Sequence, residues 1–438
     1  MRDRENRKNE AGNRIVWIII LFVLFLVGIS QFIDTVPSGE VVTKEKSNNP
    51  TITILAGQST SDAGIEEMIQ KVLEEKFPYV NFEWVCVGWN GDNYKMRLTG
   101  KYAIGNPPDI IIGKAQDAVS YAESGVLLKI PEECAVGIRD EDKKMVSHNG
   151  DLYAIPYTCQ YQGVFYNKTV FEQYDLKPPS TQEELDEIVE KLEKNGITPF
   201  ASHFQESWQV GNNTMQFFMN EIFQYDPKWG EKLRDGRKTF RRDATVEKCF
   251  RNSEYILKHS WYDALQIDQF ECDERFGKGS AAMYLTGSWS LQSISQVTQD
   301  MNIGIFPYPN ENGDAKLIKE TNISFMKGAH TRQSELVDEI LLEIGTNQKL
   351  AKEVADYTKG ESALKSLEDY RITEVQEDIG RFEKENKVID VTIGNTQLIW
   401  SFQSDVAEEE LIWLRGRKTL NEVLYYADKN IQNSVAEK

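Results

Sequence analysis

Positive charge is scarce in this chain. Lys and Arg number 50 against 69 Asp and Glu, a net charge of −19 at pH 7. Contact with a phosphate backbone needs a basic surface, so nucleic acid is excluded as a partner. Histidine is scarcer still, with four scattered residues, His148, His203, His259 and His330. No His-Glu-x-x-His, P-loop, Gly-x-Ser-x-Gly or paired Cys/His ligand set occurs. The five cysteines, Cys86, Cys134, Cys159, Cys249 and Cys272, show neither C-x-x-C nor zinc spacing. Their odd number leaves at least one thiol free if the others pair, and no pair is expected. On these grounds the chain has no expected catalytic residue, metal site or cofactor. A glycosidase needs only two carboxylates, so a glycoside-active enzyme stands as a minor alternative.

Aromatics, by contrast, are plentiful, with nine Trp and eighteen Tyr. Most such rings pack in cores, and those left in loops are flat platforms for sugar rings or apolar ligands. A length of 438 residues suits two lobes better than one.

One long apolar run exists. Residues Ile15 to Ile29 carry no charge, and Phe32 and Ile33 extend the run past Ser30 and Gln31. Arg2, Arg4, Arg7, Lys8 and Arg14 precede it. Cationic flanks stay in the cytoplasm, and about 20 apolar residues cross a bilayer. Residues 1–14 therefore read as a cytoplasmic N-terminus and 15–33 as a membrane anchor or signal segment. Residues 34–50, polar with Pro37 and Pro50, read as a tether. An uncleaved anchor is the expected form. A signal peptide cut near Ser30, with small Gly28 two positions earlier, is the alternative.

Beyond the tether the pattern is α/β. Thr51–Leu55 reads as a strand, and Asp62 as an N-cap. Ile65, Met68, Ile69, Val72 and Leu73 recur at helical spacing, and Asn81–Val87 is a second strand. Such an opening begins a parallel sheet, whose strand ends face ligands. Gln58 and Ser59 follow the first strand. Trp89 sits in a turn after the second. Lys114, Gln116 and Asp117 follow a third, Pro108-Asp109-Ile110-Ile111-Ile112. Thr181 and Glu184 form a capping box. Asn149-Gly150 is a turn signal. The segment beyond it reads as a crossing between sheets, leaving one at Pro156 and entering the other by Val164.

That segment, Gly150-Asp-Leu-Tyr153-Ala-Ile-Pro156 through Tyr166-Asn167-Lys168-Thr-Val-Phe171, resembles a signature of extracellular solute-binding proteins of ABC importers. The resemblance is to their carbohydrate-binding, maltodextrin-binding-like branch. It continues in Pro179-Ser-Thr181-Gln-Glu-Glu184-Leu185, Gly196-Ile-Thr-Pro199, Phe276-Gly-Lys-Gly279-Ser-Ala-Ala-Met283, Gly287-Ser-Trp289, Gly304-Ile-Phe-Pro307-Tyr-Pro309 and Thr419-Leu-Asn-Glu422, from about residue 51 to 432.

The resemblance implies a two-lobe periplasmic-binding-protein-like fold, each lobe a sheet flanked by helices, joined by several crossings. The expected division is 51–156 and 281–325 for the first lobe, 157–280 and 326–438 for the second. Ile323–Met326 would be the third crossing. The expected ligand residues are Trp289, Trp208, Trp89, Trp400, Gln58, Ser59, Lys114, Gln116 and Asp117. The Trp after Gly287 would stack under a sugar, and the polar groups would bond hydroxyls. The implied partners are a saccharide and the permease subunits of an ABC importer, with the protein monomeric on the extracellular face of a bacterial plasma membrane. Two departures stand out. No Cys closes the apolar run for lipid attachment, and Thr358–Ala363 lacks the family's late Pro, so that loop's contacts are not carried over. A membrane-fixed sensor or adaptor of the same fold is the other alternative.

Overall fold

The computed structural model describes residues 49–57, 64–87, 91–298, 302–391 and 405–436. The expected N-terminus, the 15–33 segment and the tether to residue 48 lie outside the described residues. Among the described residues, no helix is long and apolar enough to cross a membrane.

The expected β-loop-α-β opening is present. Strand β1 (Thr51–Gly57) runs parallel to β2 (Asn81–Val87) and β3 (Ile110–Gly113). Helices α1 (Ile65–Lys76) and α2 (Gly91–Ala103) connect them, and α1 buries Ile65, Ile69 and Leu73 on one stripe. Gly64, at φ 68, precedes α1, and Asp62 lies outside the described residues. Next come α3 (Ala115–Glu123), β4 (Leu127–Leu128) and α4 (Asp140–Met145). A hairpin of β5 (Ser147–His148) and β6 (Asp151–Leu152) turns through Asn149 and Gly150. Their φ values of 52 and 85 are the left-handed geometry these residues tolerate.

Strand β7 (Ala154–Asn167) replaces the expected break with one strand of 14 residues. Pro156 does not end it. Pro156 faces Ser324 beside a register irregularity, where the ladder is already interrupted. The far end of β7 is flanked by a second set of elements. These are α5 (Lys168–Gln173), α6 (Gln182–Lys194) with its Thr181–Glu184 capping box, and β8 (Phe200–Ala201). Helices α7 (Ser207–Phe218), α8 (Trp229–Arg234), α9 (Ala244–Lys258) and α10 (Gln269–Gly277) follow. Strand β9 (Met283–Gly287) pairs with Gln162–Tyr166 of β7 and with β8; α11 (Leu291–Val297) follows it. Strand β10 (Ile303–Phe306) pairs with Val164–Asn167.

Strand β11 (Leu317–Gly328) returns antiparallel along β7, then lies against β3 and β4. Its register shifts between Thr321 and Ile323 and again before Ser324. After α12 (Ser334–Thr346) and α13 (Gln348–Thr358), β12 (Glu361–Ser362) meets the middle of β7. Helix α14 (Glu374–Lys384) leads to β13 (Val388–Asp390), which pairs with the start of β11. Helices α15 (Ala407–Leu414) and α16 (Leu420–Ala436) close the chain, with Thr419 and Glu422 bonded reciprocally at the last helix start.

The described strands outside the hairpin form one 11-stranded sheet because β7 and β11 pass through both halves. Side-chain alternation divides the far half between two cores. Val164 and Tyr166 join the second, while Phe165 joins the first.

β9 and β10 stay with the far end of β7 and do not return to β1 and β3. α12 packs on β7, β11 and the turn at 132–135, and α13 on α1. The crossing through β11 starts earlier than Ile323, since Ile318–Thr321 already faces Gln162–Cys159. Motif order cannot reveal that two strands, β7 and β11, are long enough to pair with both halves of the sheet.

Gly345 tests the docking of α12. A Cβ there would lie 2.1 Å from the Cys134 carbonyl oxygen, a backbone atom with little freedom to yield. On a free helix surface Gly→Ala stabilises by about 1 kcal/mol. Gly345→Ala should reverse that sign and destabilise by about 1–3 kcal/mol. Urea unfolding followed by circular dichroism will give the sign.

Candidate functional site

Lys114 follows β3 and caps the N-terminal end of α3. Its Nζ lies 2.6 Å from Oε1 of Glu320 on β11. Gln162 of β7 donates from Nε2 to the other carboxylate oxygen at 3.4 Å. Asn212 and Gln216 of α7 add to the polar lining of a cavity of about 10 Å³, and Met215, Ile318 and Val391 form its apolar part. That is space for about one water-sized oxygen. The wall thus draws on a first-lobe loop, both crossing strands and a second-lobe helix. Gln216 is 3% exposed, and its Nε2 has no acceptor among the described residues. Asp117 sits half-buried in the first turn of α3, near the N-terminal positive end of the helix dipole.

The aromatic part begins on the same helix. Trp208, second residue of α7, is 38% exposed. Its ring centroid lies 6.4 Å from that of Trp289, at an interplanar angle of 64°. Trp289 occupies a tight turn directly after β9, and a Cβ on Gly287 would fall 2.2 Å from its ring. The Gly-x-Trp spacing therefore has a steric cause: only glycine lets the indole fold back over the strand end. Ser288 Oγ accepts from the Tyr161 amide at 3.1 Å and ties this turn to β7. His203 supports Trp208 from 5.2 Å, and its Nδ1 lies 3.1 Å from Glu206. Behind them Asp273 bonds Ser293, and burial pushes its carboxyl up to about 6.

Of the expected ligand residues, Trp208 and Trp289 come together, and Lys114 reaches the cavity. Asp117 lies one turn into α3 from Lys114. Gln116 is placed in α3 by its backbone alone. Gln58, Ser59, Trp89 and Trp400 lie outside the described residues. Gln162, Gln216 and Glu320 were not anticipated. The one available signal was Lys319-Glu320 inside a strand-like run, where adjacent charges must face opposite sides of the sheet.

The opposite face carries that second charge. Lys319 Nζ and Arg139 Nε each lie 2.7 Å from a different oxygen of buried Asp142. Arg139 also reaches Cys159 Sγ at 3.2 Å. Tyr161 donates to Glu383, which pairs with Arg371 at 3.1 Å, and Arg371 lies 3.3 Å from Glu361. Burial pushes the Cys159 thiol up to about 12, so it is no nucleophile at neutral pH. Burial likewise pushes Glu361 up to about 8 against the pull of Arg371.

Comparison with known proteins identifies the architecture. Residues 56–357 match the sequence profile of the family described as bacterial extracellular solute-binding protein. An uncharacterised ABC transporter extracellular-binding protein of Pyrococcus horikoshii is 27% identical over 276 residues, 60% of this chain and 61% of that protein. The chain thus matches less than two thirds of that relative's own length. A multiple sugar-binding protein of Streptococcus mutans is 22% identical over 366 residues, 81% of each. Among solved structures, a chitin oligosaccharide binding protein superposes with a TM-score of 0.75 at 18% identity, covering 89% of this chain and 99% of that one. The likeness shows the two-lobe α/β fold.

Glu361 yields a pH dependence of stability. Its folded value of about 8 lies above the ordinary 4.5, so the folded state holds a proton the unfolded chain has released. The contribution is full below pH 4.5 and is lost as pH rises through about 8. Thermal unfolding of Glu361→Gln should show a shallower decline between those limits than the parent. An equally steep decline would remove Glu361 as the source.

Proposed function

The chain belongs to the bacterial extracellular solute-binding protein family, and on that premise we propose that it captures a saccharide between its lobes and delivers it to the permease of an ABC importer. Members of this family are substrate-binding receptors rather than enzymes, and we read this chain as a receptor without catalysis. The observation that carries the saccharide is the pair of neighbouring indoles, Trp208 and Trp289, at the head of a helix that leads to a polar cavity. Sugars offer apolar C–H faces and rings of hydroxyls, which call for both surfaces in one site. The multiple sugar-binding and chitin oligosaccharide binding relatives support the same class.

In this reading Trp289 and Trp208 stack against the ligand, and Lys114 and Asp117 meet it from the first lobe. Gln58, Ser59, Trp89, Gln116 and Trp400 are the further contacts. The first lobe comprises β1 to the near half of β7 together with α12 and α13. The second comprises the far half of β7 to the start of β11, and β13 onward. Closure bends β7 and β11 near the register shifts at Thr321–Ser324, shuts water out and strengthens the polar contacts. Residues 15–33 hold the monomer on the outer face of the membrane.

The test is thermal unfolding of the full-length protein in mild detergent. The panel is chitin oligosaccharides, raffinose, stachyose, maltodextrins, amino acids and short peptides. A ligand at about 100 times its Kd should stabilise by about 2.7 kcal/mol. One saccharide class should produce that shift, and Trp289→Ala should abolish most of it with little change in the ligand-free midpoint. A shift with amino acids or peptides alone would overturn the saccharide reading.

A further inference from the structure

We infer that Lys114, Gln162, Gln216 and Glu320 form a socket for one hydroxyl of the bound saccharide, and that this socket selects ligands by the configuration of that hydroxyl. The inference rests on the saccharide reading and adds the residues that read the sugar.

Size limits the guest first. About 10 Å³ admits a single oxygen and no ring. Chemistry limits it next. Glu320 offers a carboxylate acceptor, while the amide nitrogen of buried Gln216 is a donor without an acceptor among the described residues. A group serving both must donate and accept through one oxygen, which is what a hydroxyl does. An ether or carbonyl oxygen has no proton for Glu320. A carboxylate would be repelled by Glu320 and an ammonium by Lys114. The ion pair between those two, at 2.6 Å, leaves the socket nearly neutral, as suits an uncharged guest. Water has the same chemistry, and a ligand hydroxyl would have to displace it.

Position ties the socket to the aromatic pair. Trp208, Asn212 and Met215 follow one another at helical spacing on α7. Trp208 is exposed, Asn212 half-buried and Met215 buried, so this face descends into the molecule. From Trp208 to Met215 the helix rises roughly 10 Å. A ligand that lies on the indoles and also fills the socket spans that distance, which requires more than one sugar ring. The four socket residues come from the loop after β3, strands β7 and β11, and helix α7.

The test is isothermal titration of the full-length protein with chitotetraose and maltotetraose, built of gluco-configured rings, and with raffinose and stachyose, which carry galactose rings epimeric at C4. Gln216→Met keeps side-chain length and removes the donor. Glu320→Gln keeps shape and removes the charge. Ligand-free unfolding midpoints verify that each variant folds, and either variant alone suffices. Loss of a buried hydrogen-bond partner predicts roughly ten- to hundredfold weaker binding of the preferred sugar. The preference between sugars of different configuration should collapse to about threefold or less if that bond sets it. Unchanged affinity and unchanged preference in a folded variant would overturn the socket and leave the saccharide reading standing; a water site only would give this result. Uniform weakening with the preference intact would also overturn it, as a packing effect. Absence of binding by the parent to every sugar would overturn both.

Discussion

The antiparallel ladder between β7 and β11 is the constraint on which the rest of this protein depends. Two strands of 14 and 12 residues run through both lobes. Strands β1, β2 and β3 attach at one side, β8, β9 and β10 at the other, and β12 meets the middle of β7. At their centre the strands are polar on both faces. Glu320 points to the cavity and Lys319 to the buried Asp142 and Arg139. Buried pairs give little net stability compared with a well-packed apolar core, but breaking one costs about 3–5 kcal/mol. Such a network therefore specifies one arrangement of the crossing more than it strengthens it.

The same ladder explains why the site can be assembled at all. Period-two alternation separates a network that ties α4, β12 and α14 to the strands from a face left open to ligand. The register shifts at Thr321 and Ser324 interrupt the ladder where the lobes join. Regular ladders resist bending, whereas irregular ones bend locally. The cleft face then receives Lys114 from one lobe and α7 from the other. Aromatic faces and a small polar cavity come to lie along one helix.

Much of the fold was legible because its signals are local. Capping boxes at Thr181 and Thr419, the Asn149-Gly150 turn and the apolar stripe of α1 each involve residues within a few positions of one another. Gly287-Ser-Trp289 was legible for the same reason, since the steric conflict it avoids is two residues long. The crossing was misread at Pro156. A proline ends a ladder only where its missing N–H is needed, and that depends on a strand more than 160 residues away. The pairing of 283–328 was not legible for the same reason, because its partners lie far along the chain.

Local pattern was enough for the α/β class, most element positions, the resemblance to a family of two-lobe binding proteins, and the choice of Trp208, Trp289 and Lys114 as candidates. Those follow from residue spacing and steric rules within single segments. Long-range pairing alone makes β7 and β11 run the length of the sheet and brings Gln162, Gln216 and Glu320 to one small cavity. These three lie on separate elements, each polar residue unremarkable where it stands. Their meaning comes from burial, which leaves one donor without an acceptor among the described residues and places one carboxylate beside one lysine. Desolvation is a property of the assembled fold, and no stretch of chain carries it alone.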